Sequence, residues 1–182
     1  VKETSESVIQ SFEAAYTGLP KVLVLGSIPG VASLEAVQYY AHPRNSFWPI
    51  MADYFGFDVG LPYEQRLAVL NQHGVALWDV LQQCERQGSL DSAIRKNSIQ
   101  VNPILEFTRS LGSLQLVLLN GGKAAKEFSQ YFSAPLLADG IRSISLPSTS
   151  PAYAAMPIQE KQRKWHEALN AVFNHHGQNS SH

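Results

Sequence analysis

Four short segments carry side chains and backbone amides suited to ligand binding or bond cleavage. In HPRNSFW, His42, Pro43, Arg44 and Asn45 run straight into Phe47 and Trp48. An asparagine there can orient a water, pair with a polar ligand or cap a following helix, and the two rings can stack or pack as core. Arg44, held between a proline and an asparagine, is the hardest of these residues to assign to packing. GSIPG (26–30) brackets Pro29 with two glycines, so its amides can turn around a ligand or simply make a tight turn. NGGK (120–123) offers an amide side chain, free backbone N–H groups and a lysine, a combination suited to an anion or a base edge and equally to a capped helix start. LPSTSPA (146–152) stiffens three hydroxyls between two prolines, which suits phosphate oxygens or a self-capping turn.

Several familiar chemistries do not fit these segments. GSIPG lacks the G-x-G-x-x-G spacing of a dinucleotide loop, and NGGK lacks the first glycine and the Ser/Thr of a phosphate-binding NTPase loop. A serine hydrolase using Ser27 or Ser148 with His42 as base would want a G-x-S-x-G elbow and a paired acid, and neither is evident. His166 begins HEAL rather than H-E-x-x-H, and His175 and His176 sit in a polar tail. No metal site and no cofactor is expected.

The elements that must position these segments follow from hydrophobic periodicity. KVLVLG (21–26), VALWDV (75–80), LQLVLLN (114–120) and IRSISLP (141–147) are short apolar runs that read as buried strands. Helical patterns fill the gaps, at Phe47–Phe55, Tyr63–His73, Pro103–Leu111, Gly121–Phe132 and Ile158–Asn174, and an amphipathic helix is expected over Thr4–Tyr16. Strands alternating with helices predict an α/β fold with a four-stranded parallel sheet between helical layers. Ligands of such sheets bind beyond the carboxyl ends of the strands. That rule selects GSIPG, the segment starting at Asp79, NGGK and LPSTSPA.

The chain has 182 residues, 45% of them hydrophobic and 16% charged, which suits one domain over residues 1–174 followed by a flexible polar tail, 175–182. The single cysteine, Cys84, excludes an internal disulfide and a four-cysteine metal site. The N-terminal segment does not read as a secretion signal, and no apolar run approaches the ~20 residues of a membrane span, so a cytoplasmic protein is expected. A formal net charge of −1 lacks the basic excess of many nucleic-acid binders, although Arg44, Arg95, Lys96 and Lys123 can supply a local positive field.

Taken together, GSIPGVASLEAVQYYAHPRNSFW, GVALWDVLQQCERQGSLDSAIR, LNGGKAAKEF and LPSTSPA resemble the uracil-DNA glycosylase superfamily, and most closely its hypoxanthine-DNA glycosylase branch. The likeness runs from about Lys21 to Trp165. It implies a three-layer α/β/α fold and a monofunctional enzyme of base excision repair, which hydrolyses the N-glycosidic bond of a deaminated base and leaves an abasic site. Mismatch-specific uracil glycosylases, which are cousins, carry G-I-N-P-G. Here Ile28 replaces that asparagine and cannot hydrogen-bond, and Ser148 stands where a histidine or asparagine commonly opens the second loop.

By this resemblance Asn45 is the catalytic candidate. Gly26, Ser27, Asn120 and an aromatic ring, Tyr40 or Phe47, would hold the flipped base. Pro29, Gly30, Arg44, Lys123, Ser148, Thr149 and Ser150 would grip the DNA strand, and Tyr153 would fill the gap left in the stack. The implied partner is single- or double-stranded DNA carrying a deaminated base, bound by a monomer. The readings left beside this one are a uracil glycosylase of the same fold and a non-catalytic module that binds lesions or nucleotides.

Overall fold

A computed structural model describes residues 8–173. Four strands form the central sheet: β2 (Val22–Gly26), β3 (Val75–Asp79), β6 (Leu116–Asn120) and β7 (Arg142–Leu146). Their order is β3-β2-β6-β7. All three pairings are parallel, with Leu23 opposite both Ala76 and Val117, and Leu118 opposite Ile144. Every residue of β2, β3 and β6 is buried, as expected of strands covered on both faces.

The helices are α1 (Val31–Ala36), α2 (Phe47–Phe55), α3 (Tyr63–Gln72), α4 (Ile104–Leu111), α5 (Gly122–Tyr131), α6 (Ser133–Ala138) and α7 (Ile158–Asn170). Strand alternation sends Leu23, Leu25, Val117 and Leu119 to one face, where they meet Ile104, Phe128 and Leu136 of α4, α5 and α6. Val22, Val24, Leu116 and Leu118 go to the other, against Phe47, Ile50, Leu70 and Trp165 of α2, α3 and α7. The result is the expected three-layer α/β/α arrangement, in which each fully buried large apolar side chain is worth ~1.5–3 kcal/mol. Among the described residues no helix is long and apolar enough to cross a membrane.

Two expectations need correction. The segment read as a helix over Thr4–Tyr16 is, in its described part, the strand β1 (Val8–Gln10) followed by irregular chain with a single antiparallel bridge from Ala15 to Leu77. Only Ile9 of β1 is buried, so its apolar period there is two. β1 pairs antiparallel with β4 (Leu81–Glu85), which pairs in turn with β5 (Gln100–Val101). An available strand edge thus outweighs a weak helical pattern. The last helix stops at Asn170 rather than Asn174, and Asn174 and the tail 175–182 lie outside the described residues.

Helix α7 also fixes a loop. Trp165 is wholly buried and its indole N–H donates to the carbonyl of Pro147 at 3.0 Å. Trp165→Phe removes that bond and part of the packed volume, and is expected to lower stability by about 1–2 kcal/mol in denaturant unfolding.

Candidate active site

Strand β2 has β3 on one side and β6 on the other, so the direction of connection reverses between β2 and β6. This is where ligands of open α/β sheets bind. A cleft of about 690 Å³ lies there, and the four segments selected by strand ends all contribute to its lining.

Its first wall is GSIPG. The carbonyls of Gly26 and Ser27 accept the N–H groups of Val80 and Leu81 at 2.8 and 3.0 Å. The Ser27 hydroxyl donates to Asp91 Oδ1 at 2.7 Å, and Arg86 Nη2 donates to the Pro29 carbonyl at 2.6 Å. Arg86 is itself buried, and its Nε holds the Gly88 carbonyl at 2.7 Å. The loop is therefore pinned from behind by the segment that follows β4. Ile28 is buried in the core cluster beneath it and adds an apolar side chain to the cleft lining.

The opposite wall joins HPRN to LPSTSPA. The Asn45 Oδ1 accepts the Phe47 N–H at 3.0 Å, a short-range turn that starts α2 with Ser46 at the cap position. Ser46 N–H and Oγ both donate to the Thr149 carbonyl, at 3.0 and 3.2 Å. Thr149 N–H donates to Asn120 Oδ1 at 3.0 Å, and Asn120 Nδ2 donates to Thr149 Oγ1 at 2.9 Å. Thr149 is thus a buried bolt tying the ends of β6 and β7 to the start of α2. It lines the cleft, with its polar atoms facing protein partners. Asn120 also lines the cleft with its acceptor oxygen and one donor already engaged. Gly121, at φ 95°, lies where an added Cβ would come within 3.1 Å of Ser148 Cβ, which keeps that turn close to the loop.

Most of the residues singled out in the sequence come together here: Gly26, Ser27, Pro29, Gly30, Tyr40, Arg44, Asn45, Asn120, Ser148, Thr149, Ser150 and Tyr153. Tyr153, 40% exposed on the rim, has Lys161 Nζ bonded to its carbonyl at 2.5 Å and 5.0 Å from its ring centroid. Two residues are not in the lining. Phe47 has no exposed surface and packs in the core with its ring centroid 4.1 Å from that of Tyr40, so only Tyr40 of the two rings meets the cleft. Lys123 pairs with Glu127 one turn on along α5, at 2.9 Å, and Gly122 takes its place at the cleft wall.

Asp79 was missed as a site residue. It ends β3, is 4% exposed, and lines the cleft beside Gly26. Burial pushes its pKa up to about 7, the Asp91 carboxylate adds to that rise and Arg86 opposes it. Its position was visible in VALWDV, where an acid interrupts an otherwise apolar strand. In the unfolded chain such a group ionises near pH 4, and in the folded one near 7, so its ionisation disfavours the fold increasingly across that window and fully above it. Asp79→Asn removes this penalty, partly offset by the unpaired amide. Thermal unfolding is expected to show the variant gaining several degrees over wild type at pH 8 and little at pH 4.

The uracil DNA glycosylase superfamily model matches residues 15–173 of this chain. The chain is 32% identical over 161 residues to a hypoxanthine DNA glycosylase of Methanosarcina barkeri, covering 88% of this chain and 97% of that one. It is 29% identical over 167 residues to a hypoxanthine DNA glycosylase of Methanosarcina acetivorans, covering 91% and 98%. The solution NMR structure of a candidate uracil DNA glycosylase from M. acetivorans superposes with a TM-score of 0.77 at 27% identity, covering 91% of this chain and 98% of the other. With its fold and its sequence in agreement over nearly the whole length, this chain belongs to the uracil DNA glycosylase superfamily.

Proposed function

We propose that this chain is a base-excision DNA glycosylase that hydrolyses the bond between deoxyribose and hypoxanthine, leaves an abasic site without cutting the strand, and works as a monomer in the cytoplasm. The observation that carries this reading is the placement of Asn45 in the switch-point cleft of a chain aligned end to end with proteins named hypoxanthine DNA glycosylases.

A base stacked in a duplex is beyond reach of the cleft, so the nucleotide must flip, at a cost of a few kcal/mol that mispairing lowers. Cleavage then builds positive charge on the sugar and negative charge on the leaving purine. Asn45 has its Oδ1 fixed by the Phe47 N–H, which restricts its rotamer and leaves one lone pair to orient a water toward the anomeric carbon. The water's hydroxyl ends on that carbon, the bonding electrons leave with the purine, and the purine takes up the proton. Strand phosphates stabilise the sugar cation, and Ser148, Ser150, Gly30 and the exposed Arg44 hold the phosphates. Tyr40 presents the ring on which the base stacks, and Tyr153 on the rim fills the space it leaves.

A panel of oligonucleotides under single-turnover conditions tests the substrate. Release from deoxyinosine is expected to exceed release from deoxyuridine in the same context, since Ile28 supplies no polar group for uracil chemistry. Release from deoxyuridine alone would reassign the chain to uracil excision. Binding of both with release of neither would make it a non-catalytic lesion-binding module.

A further inference from the structure

Helix α7 carries a buried charge that the site described so far does not use. Lys161 is 6% exposed, yet among the described residues no carboxylate pairs with it. Its Nζ donates to the Tyr153 carbonyl at 2.5 Å and lies 5.0 Å from the centroid of the Tyr153 ring. Burial lowers its pKa, and no neighbouring acid raises it again. A buried ammonium without a counter-ion is costly, and a methionine would fill the same space without that cost. Keeping the charge calls for a reason other than stability.

The reason lies in what α7 holds. Lys161 and Trp165 are four residues apart, on one face of the helix. The Trp165 indole N–H donates to the Pro147 carbonyl and Lys161 Nζ to that of Tyr153, so one helix face grips both ends of the segment 147–153. Between those ends the turn closes on itself. Ser150 N–H donates to Ser148 Oγ, Ala152 N–H to Ser150 Oγ, and Tyr153 N–H to the Ser150 carbonyl. The residues flanking Tyr153 are Ala152, Ala154 and Ala155, all exposed and too short to prop a ring. The ammonium thus supports a tyrosine that its sequence neighbours do not.

We infer that Lys161 is the positioning residue of the cleft rim: its ammonium locks the loop at the Tyr153 carbonyl and holds the Tyr153 ring in place to enter a duplex as the target nucleotide leaves it. Two effects act together. The charge-assisted bond to the carbonyl fixes the backbone from which the ring projects. The cation beside the ring narrows its rotamers, so less freedom is lost when the ring takes its place among the bases. Burial strengthens both contacts, because a desolvated cation interacts more strongly with a carbonyl and a ring than one in water. A preset ring matters only where a stack can close behind the flipped base. An unpaired strand has no complement to recapture that base, so the gain belongs to duplex DNA.

This inference rests on the glycosylase reading, and the test separates the two. Single-turnover release of hypoxanthine is measured from deoxyinosine in a duplex and in the same strand unpaired, for wild type, Lys161→Met, Tyr153→Ala and the double variant. A second duplex carries 2-aminopurine beside the deoxyinosine, and its fluorescence rises when the stack opens, with or without base release. Lys161→Met is expected to slow release from the duplex by ~10-fold or more and from the single strand by less than ~2-fold, and to reduce the fluorescence rise. In the Tyr153→Ala background it should cost less than ~2-fold further on the duplex, because the group it positions is gone. Thermal unfolding of Lys161→Met should occur at or above the wild-type temperature, since methionine removes a buried charge. A variant that melts earlier and slows on both substrates alike would assign Lys161 to structure and overturn the inference, and so would a full second loss in the double variant. If no protein releases hypoxanthine, but wild type gives a fluorescence rise that Lys161→Met loses, the positioning role stands and the glycosylase reading falls.

Discussion

Gly26→Ala is expected to lower single-turnover base release by ~100-fold or more while leaving the protein folded. The new methyl carbon would lie 2.6 Å from Asp79 Oδ1, closer than real contacts allow, and 3.3 Å from Tyr40 Oη. Gly26 has no positive φ, so alanine adds no backbone strain. The methyl instead occupies the floor of the cleft, and either Asp79 shifts within a buried setting or the base sits too high to meet the oriented water. A misplacement of about 1 Å is enough for a loss of this size. Thermal unfolding measured beside the rate distinguishes a filled site from a damaged fold. A variant that releases base at the wild-type rate would show that the base does not reach this floor.

Asn45→Ala is expected to cost ~100-fold or more in hypoxanthine release, about 2.7 kcal/mol in activation free energy. The same substitution removes the acceptor for the Phe47 N–H at the start of α2, a loss of ~0.5–2 kcal/mol in stability by analogy with helix caps. The two effects have different readouts, because a single-turnover rate reports on the folded fraction. Asn45→Asp separates them further. Its carboxylate can still accept the Phe47 N–H and orient water, so it should retain the stability of wild type and more of the rate than alanine. If alanine and aspartate fall together in rate while binding to an abasic-site oligonucleotide is unchanged, Asn45 contributes its amide N–H to the reaction rather than its acceptor oxygen. Unaltered release in Asn45→Ala would remove it from the chemistry altogether.

The sheet was legible because parallel strands buried on both faces are written as continuous apolar runs, and VLVLG, VALWD and LVLLN are such runs. Helix α2 over Phe47–Phe55 matched its pattern to the residue. What failed to show was decided by tertiary pairing. β1 carries Val8 and Ile9, which serve a strand or a helix equally, and only the edge of β4 settles the matter. β4 and β5 are short and polar, so their antiparallel sheet left little trace in composition. At the site, the strand-end rule found the cleft, but it could not sort neighbours by direction. Tyr40 and Phe47 are alike as rings, yet one faces the cleft and the other the core. Lys123 looked available until Glu127, a turn further along the helix, took its charge. Asp79 opened one of the segments that the strand-end rule selected but was given no role of its own, and Arg86 was masked by a run of polar residues. The burial of these two groups depends on packing that no local pattern records.

The most direct test of the central claim is to incubate wild-type protein with a duplex carrying one deoxyinosine, detect free hypoxanthine by chromatography, and follow the strand with and without hot alkali. Hydrolysis by water oriented at Asn45 leaves an abasic site, so hypoxanthine should appear in step with a strand that stays whole until alkali breaks it. Strand breaks that accompany release without alkali, or a duplex that keeps its hypoxanthine through prolonged incubation with excess protein, would contradict it.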